Sequence, residues 1–248
     1  MALGPDKRFS INTGGRAGRM TAAQAHAAGI DAGLRTYMLK VYNYMCIGLA
    51  LTGAVAFATS TSPVMLNAIF GSPLKWLVML APIGMVFFLA ARVRAMKAST
   101  AQAVFWAFAG LMGLSLASVF IAYTGESVTR VFFITAGAFA GLSLFGYTTK
   151  KDLSGMGSFL IMGVIGLLIA SVVNIFLEST AMQFAISVLG VLIFAGLTAY
   201  DTQRIKAIYH EGDGMEVAEK KAVMGALTLY LDFINMFIFL LHLFGNRE

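Results

Sequence analysis

The sequence predicts an all-α integral membrane protein that forms a bundle of seven transmembrane helices. Of its 248 residues 58% are apolar and only 12% are charged, and the mean hydropathy is +0.79. Soluble globular proteins have about 25% charged residues, so this chain has too few to cover a water-facing surface. The apolar residues also fall into runs of the length, about 20 residues, that a helix needs to cross a bilayer. These observations exclude a soluble enzyme and a disordered chain, and they make the lipid bilayer the expected surroundings.

Seven apolar runs define the expected spans. They cover residues 38–58, 75–91, 101–123, 131–147, 157–177, 182–200 and 222–244. Several runs carry an aromatic residue near one end, where an amphipathic ring is favoured at the membrane interface; these are Trp76, Tyr123, Tyr147 and Tyr200. We therefore expect residues 36–248 to form the membrane domain.

The basic residues predict the orientation. All but three of the 18 Lys and Arg residues lie on the N-terminal segment and on alternate loops, and the exceptions are Lys75, Arg130 and Arg247. Positive charge accumulates on the cytoplasmic side, so the N-terminus is expected to be cytoplasmic. With seven full spans the C-terminus lies outside, whereas a re-entrant last helix would return it to the cytoplasm. Residues 1–35 lack the apolar core of a signal peptide and are expected to form a flexible cytoplasmic tail. This distribution explains the net charge of +6 without nucleic acid as a partner.

Small residues on three of the spans predict close helix packing. Gly137 and Gly141 have the GxxxG spacing on the fourth span, and Gly110, Gly113, Gly163 and Gly166 lie on the spans on either side. Small residues let helix backbones approach closely in lipid. We expect these glycines to lie at helix interfaces.

Two acidic residues are the main candidates for function, because a charge at membrane depth is costly and is kept for a reason. Asp232 lies in the last apolar run, and Thr228 and Asn235 share its helix face. Asp201 closes the sixth run, three residues before Arg204. The alternatives are structural: Asp232 as a protonated acid that holds helices together, and Asp201 as one half of an interfacial ion pair with Arg204.

Three segments resemble the Bax inhibitor family, the transmembrane BAX-inhibitor-motif proteins. They are residues 196–206 (GLTAYDTQRIK), residues 226–237 (ALTLYLDFINMF) and, as in the bacterial branch, residues 147–154 (YTTKKDLS). The resemblance covers roughly residues 35–246. It implies a seven-helix bundle with the last helix central, in the plasma or inner membrane, that acts as a pH-sensitive calcium leak. It also implies that Asp201 and Asp232 are the gating acids, with Arg92 as a basic partner on the second span.

A gate of this kind follows from coupled titration. Two carboxylates within hydrogen-bond reach cannot both ionise cheaply, so they share one proton. When both are ionised, their repulsion and the attraction of Asp201 to Arg92 favour separation, and calcium can use the freed oxygens. Calcium prefers six to eight oxygen ligands, so Asp201 and Asp232 would hold it weakly and transiently. The apolar runs place the two acids about 15 Å apart along the membrane normal, so their pairing is implied by the resemblance and not by the spacing.

Other functions remain open. Without a Schiff-base lysine in the last span, a serine and histidine at membrane depth or an HExxH motif, we expect no catalysis. The single cysteine, Cys46, excludes disulfides, and no cofactor is expected. The alternatives are a proton- or cation-coupled transporter that uses the same acids, and a non-conducting regulatory protein that binds membrane proteases or cell-death factors.

Overall fold

The computed structural model describes residues 22–247, with side chains from residue 32 onward. Eight α-helices follow one another along the chain: α1 Ala22–Ser60, α2 Pro63–Phe70, α3 Leu74–Arg92, α4 Ala98–Ala122, α5 Gly125–Thr148, α6 Ser154–Leu177, α7 Thr180–Ala207 and α8 Met215–Phe244. All of these except α2 are long and apolar enough to cross a membrane, which makes seven spans within the described residues. The predicted all-α fold is confirmed.

The start of the chain is only partly described. Helix α1 begins at Ala22, so residues 22–35 of the expected tail are helical, and the apolar part of this helix runs over Ala32–Ser60. Residues 1–21 lie outside the described residues, and the flexibility of that part stays a prediction.

Serine and threonine side chains begin three of the helices. Ser62 precedes α2, Thr124 precedes α5 and Ser179 precedes α7, and each side-chain oxygen accepts a hydrogen bond from the backbone N–H three residues further on. These bonds satisfy a donor that the first turn of a helix leaves free. In α2 the next residue is Pro63, whose missing N–H costs nothing at a first helical position. This explains a helix of eight residues that the sequence analysis did not predict.

The last helix lies at the centre of the bundle. Of its apolar stretch 67% is buried, against 17–33% in the other six spans. It packs against α1, α4, α5 and α7, so protein surrounds it on most sides. Tyr230 and Leu229 at its middle are fully buried. The expected central position of this helix is confirmed.

The glycines predicted to mediate packing mostly do not. A Cβ atom added at Gly137, Gly141, Gly110 or Gly166 would meet no neighbouring atom within 4 Å, so these positions lie in open space. Of the predicted set, Gly113 and Gly163 do approach a neighbouring helix. The prediction was wrong for the GxxxG pair because spacing identifies a helix face without showing whether that face is turned to protein or to lipid.

Among the described glycines, the closest approach to the backbone of another helix is made by Gly146 on α5. A Cβ atom at Gly146 would lie 2.2 Å from the carbonyl oxygen of Ala199 on α7. Gly146 is buried, and the segment of α7 that it touches immediately precedes Asp201. This contact sets the distance between α5 and α7 beside the predicted functional residues.

The C-terminal end of α8 is tied to the corner between α4 and α5. The Thr124 N–H donates to the Asn246 carbonyl at 3.1 Å, and the Asn246 N–H donates to the Ser127 hydroxyl at 2.9 Å. Arg130 donates to the carbonyl oxygen of Phe244 at 3.0 Å. Three hydrogen bonds therefore fix this end of the central helix.

Candidate functional site

Contacts at two levels fix the register between α7 and the central helix α8. At one level Gly225 faces Ile205, whose Cγ2 would lie 3.1 Å from a Cβ added at the glycine. At the other level the ring of Phe194 stacks on that of Phe239, with centroids 5.9 Å apart. Asp201 and Asp232 lie between these two levels. The helices therefore bring the two acids to a similar depth.

Helix α7 does not end at residue 200, as the apolar run suggests, but continues to Ala207. Thr202 and Ile205 are buried in this added stretch. Asp201 consequently lies inside the bundle and not at its edge. This longer helix removes the separation along the membrane normal that the hydropathy bounds implied.

The two acids form a buried pair. Asp201 is 7% exposed and Asp232 is 4% exposed, and their carboxyl groups lie within hydrogen-bonding reach of each other. Within the described part of the chain, no N–H or O–H group donates to the Oδ2 atom of Asp232. Two adjacent negative charges repel strongly in a low-dielectric interior, and one proton between them removes that repulsion. This arrangement can hold a proton between two carboxyl oxygens.

A chain of hydroxyl groups links three helices and ends at Thr202, the residue after Asp201 on α7. The Tyr42 hydroxyl of α1 lies 2.6 Å from the Ser143 hydroxyl of α5, which lies 3.0 Å from the Thr202 hydroxyl of α7. Thr202 donates its one proton to the Thr198 carbonyl at 2.7 Å, so Ser143 donates to Thr202 and Tyr42 donates to Ser143. The sequence analysis missed this chain, and the only signal for it was a hydroxyl residue directly after Asp201.

The predicted polar support residues bond to their own helix. Thr228 donates to the Met224 carbonyl at 3.1 Å, and Asn235 donates to the Leu231 carbonyl at 2.8 Å. Both share a face with Asp232, as their spacing predicts. These donors are used within α8 and do not bond to Asp232.

The two predicted basic partners occupy different places. Arg204 lies one turn beyond Asp201 on α7, is exposed, and attracts the Asp201 carboxylate electrostatically. Arg92 is exposed at the end of α3, a helix that packs on α2 and α4. In the described residues no ion pair joins either arginine to Asp201. The structure thus brings Arg204, but not Arg92, near the acid pair.

A third carboxylate escaped the sequence analysis. Glu219, in the first turns of α8, forms an ion pair with Lys40, accepts a hydrogen bond from Tyr44 and accepts another from Gln102 at 2.5 Å. Its side chain is 15% exposed. The hydropathy bounds placed this residue in a loop because its neighbours Lys220 and Lys221 are charged. The cluster joins α8 to both α1 and α4.

The carboxylates do not gather into a larger metal site. Within residues 22–247 no group of three or more His, Cys, Asp or Glu side chains is placed to hold a metal ion. Asp201 and Asp232 are two ligands of the oxygen type that calcium prefers. Two carboxylates are too few for tight binding and are suited to brief contact with a passing cation.

Comparison with known proteins identifies the family. The family model described as "Inhibitor of apoptosis-promoting Bax1" matches residues 34–248, which include all seven spans and both acids. The chain belongs to the Bax inhibitor family. The resemblance seen in the three segments is thereby confirmed over the whole membrane domain.

Relatives from several bacteria are similar to this chain along nearly their whole length. An uncharacterized protein of Caulobacter vibrioides is 53% identical, with 88% of this chain and 92% of the relative covered. The inner membrane protein YbhL of Escherichia coli is 43% identical, with 88% and 94% covered. An uncharacterized membrane protein of Streptococcus pyogenes is 33% identical, with 88% and 96% covered. Together with the seven spans, these relatives establish a multi-pass integral membrane protein.

Proposed function

We propose that this protein is a passive calcium leak channel of the bacterial inner membrane and that a proton shared by Asp201 and Asp232 gates it. The observation that carries the proposal is the contact between two buried carboxyl groups on neighbouring helices. Buried acids at membrane depth are costly and mark ion or proton pathways. The family membership supports the same function, as does the inner-membrane location that the E. coli relative's name states.

The proton controls the contact between α7 and α8. While it is shared, it bridges the carboxyl groups and holds the helices together. When it is lost, two negative charges lie side by side, and their repulsion pushes the helices apart. Arg204 attracts Asp201 away from Asp232, and we predict that Arg92 adds to this attraction in the separated arrangement.

Calcium passes by brief coordination to the freed oxygens. A full calcium site needs six to eight oxygen ligands, whereas this pair supplies two carboxylates and leaves the rest to water or carbonyl groups. Weak coordination permits release as well as entry, as conduction requires. The protein then needs no cofactor and no catalytic residue. We also propose that the N-terminus is cytoplasmic, because most Lys and Arg residues lie on the N-terminal segment and on alternate loops.

The test is calcium entry into liposomes that hold the purified protein. We expect the entry rate to change between about pH 6 and about pH 8, by at most about tenfold per pH unit because one proton is exchanged. The expected sign is faster entry at higher pH, because calcium needs ionised oxygens. Asp201→Asn and Asp232→Asn should each flatten this response. Asp152→Asn, which changes an exposed carboxylate in the loop before α6, is the matched control and should keep it.

Each outcome decides between the alternatives. An unchanged pH response in both asparagine variants would overturn the acid pair as the sensor. Faster calcium entry at lower pH would be consistent with the acid pair as the pH sensor. It would overturn the step in which repulsion between the two carboxylates separates the helices. Calcium uptake against its own gradient, driven by a proton or cation gradient, would indicate the coupled transporter. Absence of flux at every pH would favour the non-conducting regulatory protein.

A further inference from the structure

A cavity of about 750 Å³ lies between α1 and α5, and neither Asp201 nor Asp232 lines it. α1 contributes residues 35–50 to its walls and α5 contributes residues 132–147, while Phe233 of the central helix also lines it. Sixteen residues of helix span about 24 Å. This length covers one leaflet of the hydrocarbon core, about 15 Å, together with the adjoining interface.

The lining of the cavity is amphipathic along its length. Most of it is apolar, with Leu39, Leu49, Phe132 and Phe139 among the lining residues. Tyr42 and Ser143 line it part-way along, and its one charged lining residue, Arg35 of α1, lies with Tyr147 of α5 at one end. Arg35 is exposed, so its guanidinium is accessible to a ligand at the mouth of the cavity.

Further positive charge surrounds this end. Lys150 and Lys151 directly follow the end of α5, and Lys206 donates to the Tyr147 carbonyl at 2.8 Å. Two acidic residues of the same side have partners: Glu219 is paired with Lys40, and Asp152 accepts a hydrogen bond from the Ser154 N–H at 2.9 Å. Basic side chains therefore outnumber acidic ones among the residues named at this end.

The volume indicates what fills the cavity. A helix is about 10 Å wide, and one that ran the length of this cavity would need roughly twice its volume or more. An acyl chain is thinner and matches the apolar walls. A phosphate at the basic end would accept charge-assisted hydrogen bonds from Arg35.

We propose that the cavity between α1 and α5 binds an anionic phospholipid, with one acyl chain between the helices and the phosphate at Arg35. Neither acid of the proposed gate lines this site, so the lipid proposal does not depend on the gate. It would retain one lipid molecule that is more firmly held than the lipid around the bundle.

The experiment is native mass spectrometry of the delipidated, detergent-solubilised protein titrated with phosphatidylglycerol or with phosphatidylcholine. Wild-type protein should retain one phosphatidylglycerol more tightly than phosphatidylcholine. Ala140→Trp places a large ring in the cavity and should abolish this binding. Ala138→Trp is the matched control, since Ala138 is also exposed on α5 but does not line the cavity.

A second pair of variants tests the charge. Arg35→Gln should weaken phosphatidylglycerol binding about fivefold, the effect of about one basic residue at an anionic surface, and should leave phosphatidylcholine binding unchanged. Arg94→Gln, an exposed arginine outside the cavity, should bind like the wild type. Equal binding of the two lipids by the wild type would overturn the proposal. Unchanged phosphatidylglycerol binding by a folded Ala140→Trp variant would also overturn it. The same holds if phosphatidylglycerol binds only at a large molar excess and without one-to-one stoichiometry.

Discussion

Asp232 and Asp201 are the residues on which the proposed function depends. Asp232 is detectable in the sequence because it is the one acid within the apolar stretch 222–244. Its contact with Asp201 is not detectable in that way, because contact depends on the register and crossing of α7 and α8. That register follows from side-chain volumes, such as Ile205 against Gly225, which no hydropathy pattern contains.

The hydrogen bond of Thr228 leads to a prediction at the same scale. Thr228→Val removes a hydroxyl that bonds to the Met224 carbonyl and not to Asp232. We therefore expect the midpoint of the pH response of calcium entry to be the same in this variant as in the wild type. The measurement is the liposome flux series used for the acid variants. A shifted midpoint would show that the Thr228 hydroxyl interacts with the acid pair after all.

At the scale of the elements, hydropathy recovers the long helices and misses what is short or polar. All seven spans are recovered because each contains a long apolar window. Helix α2 is missed because eight residues are too few to form such a window. The C-terminal end of α7 and the start of α8 are missed because their charged residues resemble those of loops. The candidate site lies close to these misjudged ends, so its geometry needed the structure.

The approach of α5 to α7 gives a prediction for an element contact. Gly146→Ala places a methyl group against the Ala199 backbone, which cannot turn aside as a side chain would. We expect a loss of about 1–3 kcal/mol in the free energy of unfolding, the usual cost of overpacking. The measurement is reversible unfolding in detergent micelles.

The control for this prediction is Gly141→Ala on the same helix. A methyl group there meets nothing within 4 Å. It should therefore leave stability unchanged or raise it by about 0.5–1 kcal/mol through the better helix propensity of alanine. Equal destabilisation by both substitutions would contradict the assigned contact.

At the scale of the whole molecule, the Glu219 cluster connects the central helix to the first half of the bundle. Glu219→Gln removes the ion pair with Lys40 and weakens the bonds to Tyr44 and Gln102. Hydrogen bonds to a charged, mostly buried group are worth about 1.5–3 kcal/mol, and the exposed Lys40 reduces the electrostatic part. We expect a destabilisation of about 1–2 kcal/mol, measured by unfolding in detergent.

Glu126→Gln serves as the comparison for that measurement. Glu126 is an exposed carboxylate in the first turn of α5, where its interaction with the helix dipole is worth about 0.3–1 kcal/mol. Equal losses in the two variants would mean that the Glu219 cluster is only a surface feature.

The central helix is held at both of its ends. Glu219 secures its beginning to α1 and α4, and the carbonyl groups of Phe244 and Asn246 secure its far end to the corner between α4 and α5. Contacts at both ends restrict the tilting of α8 within the bundle. If the acids of the proposed gate part, we therefore expect α7, which carries Asp201, to move while α8 stays in place.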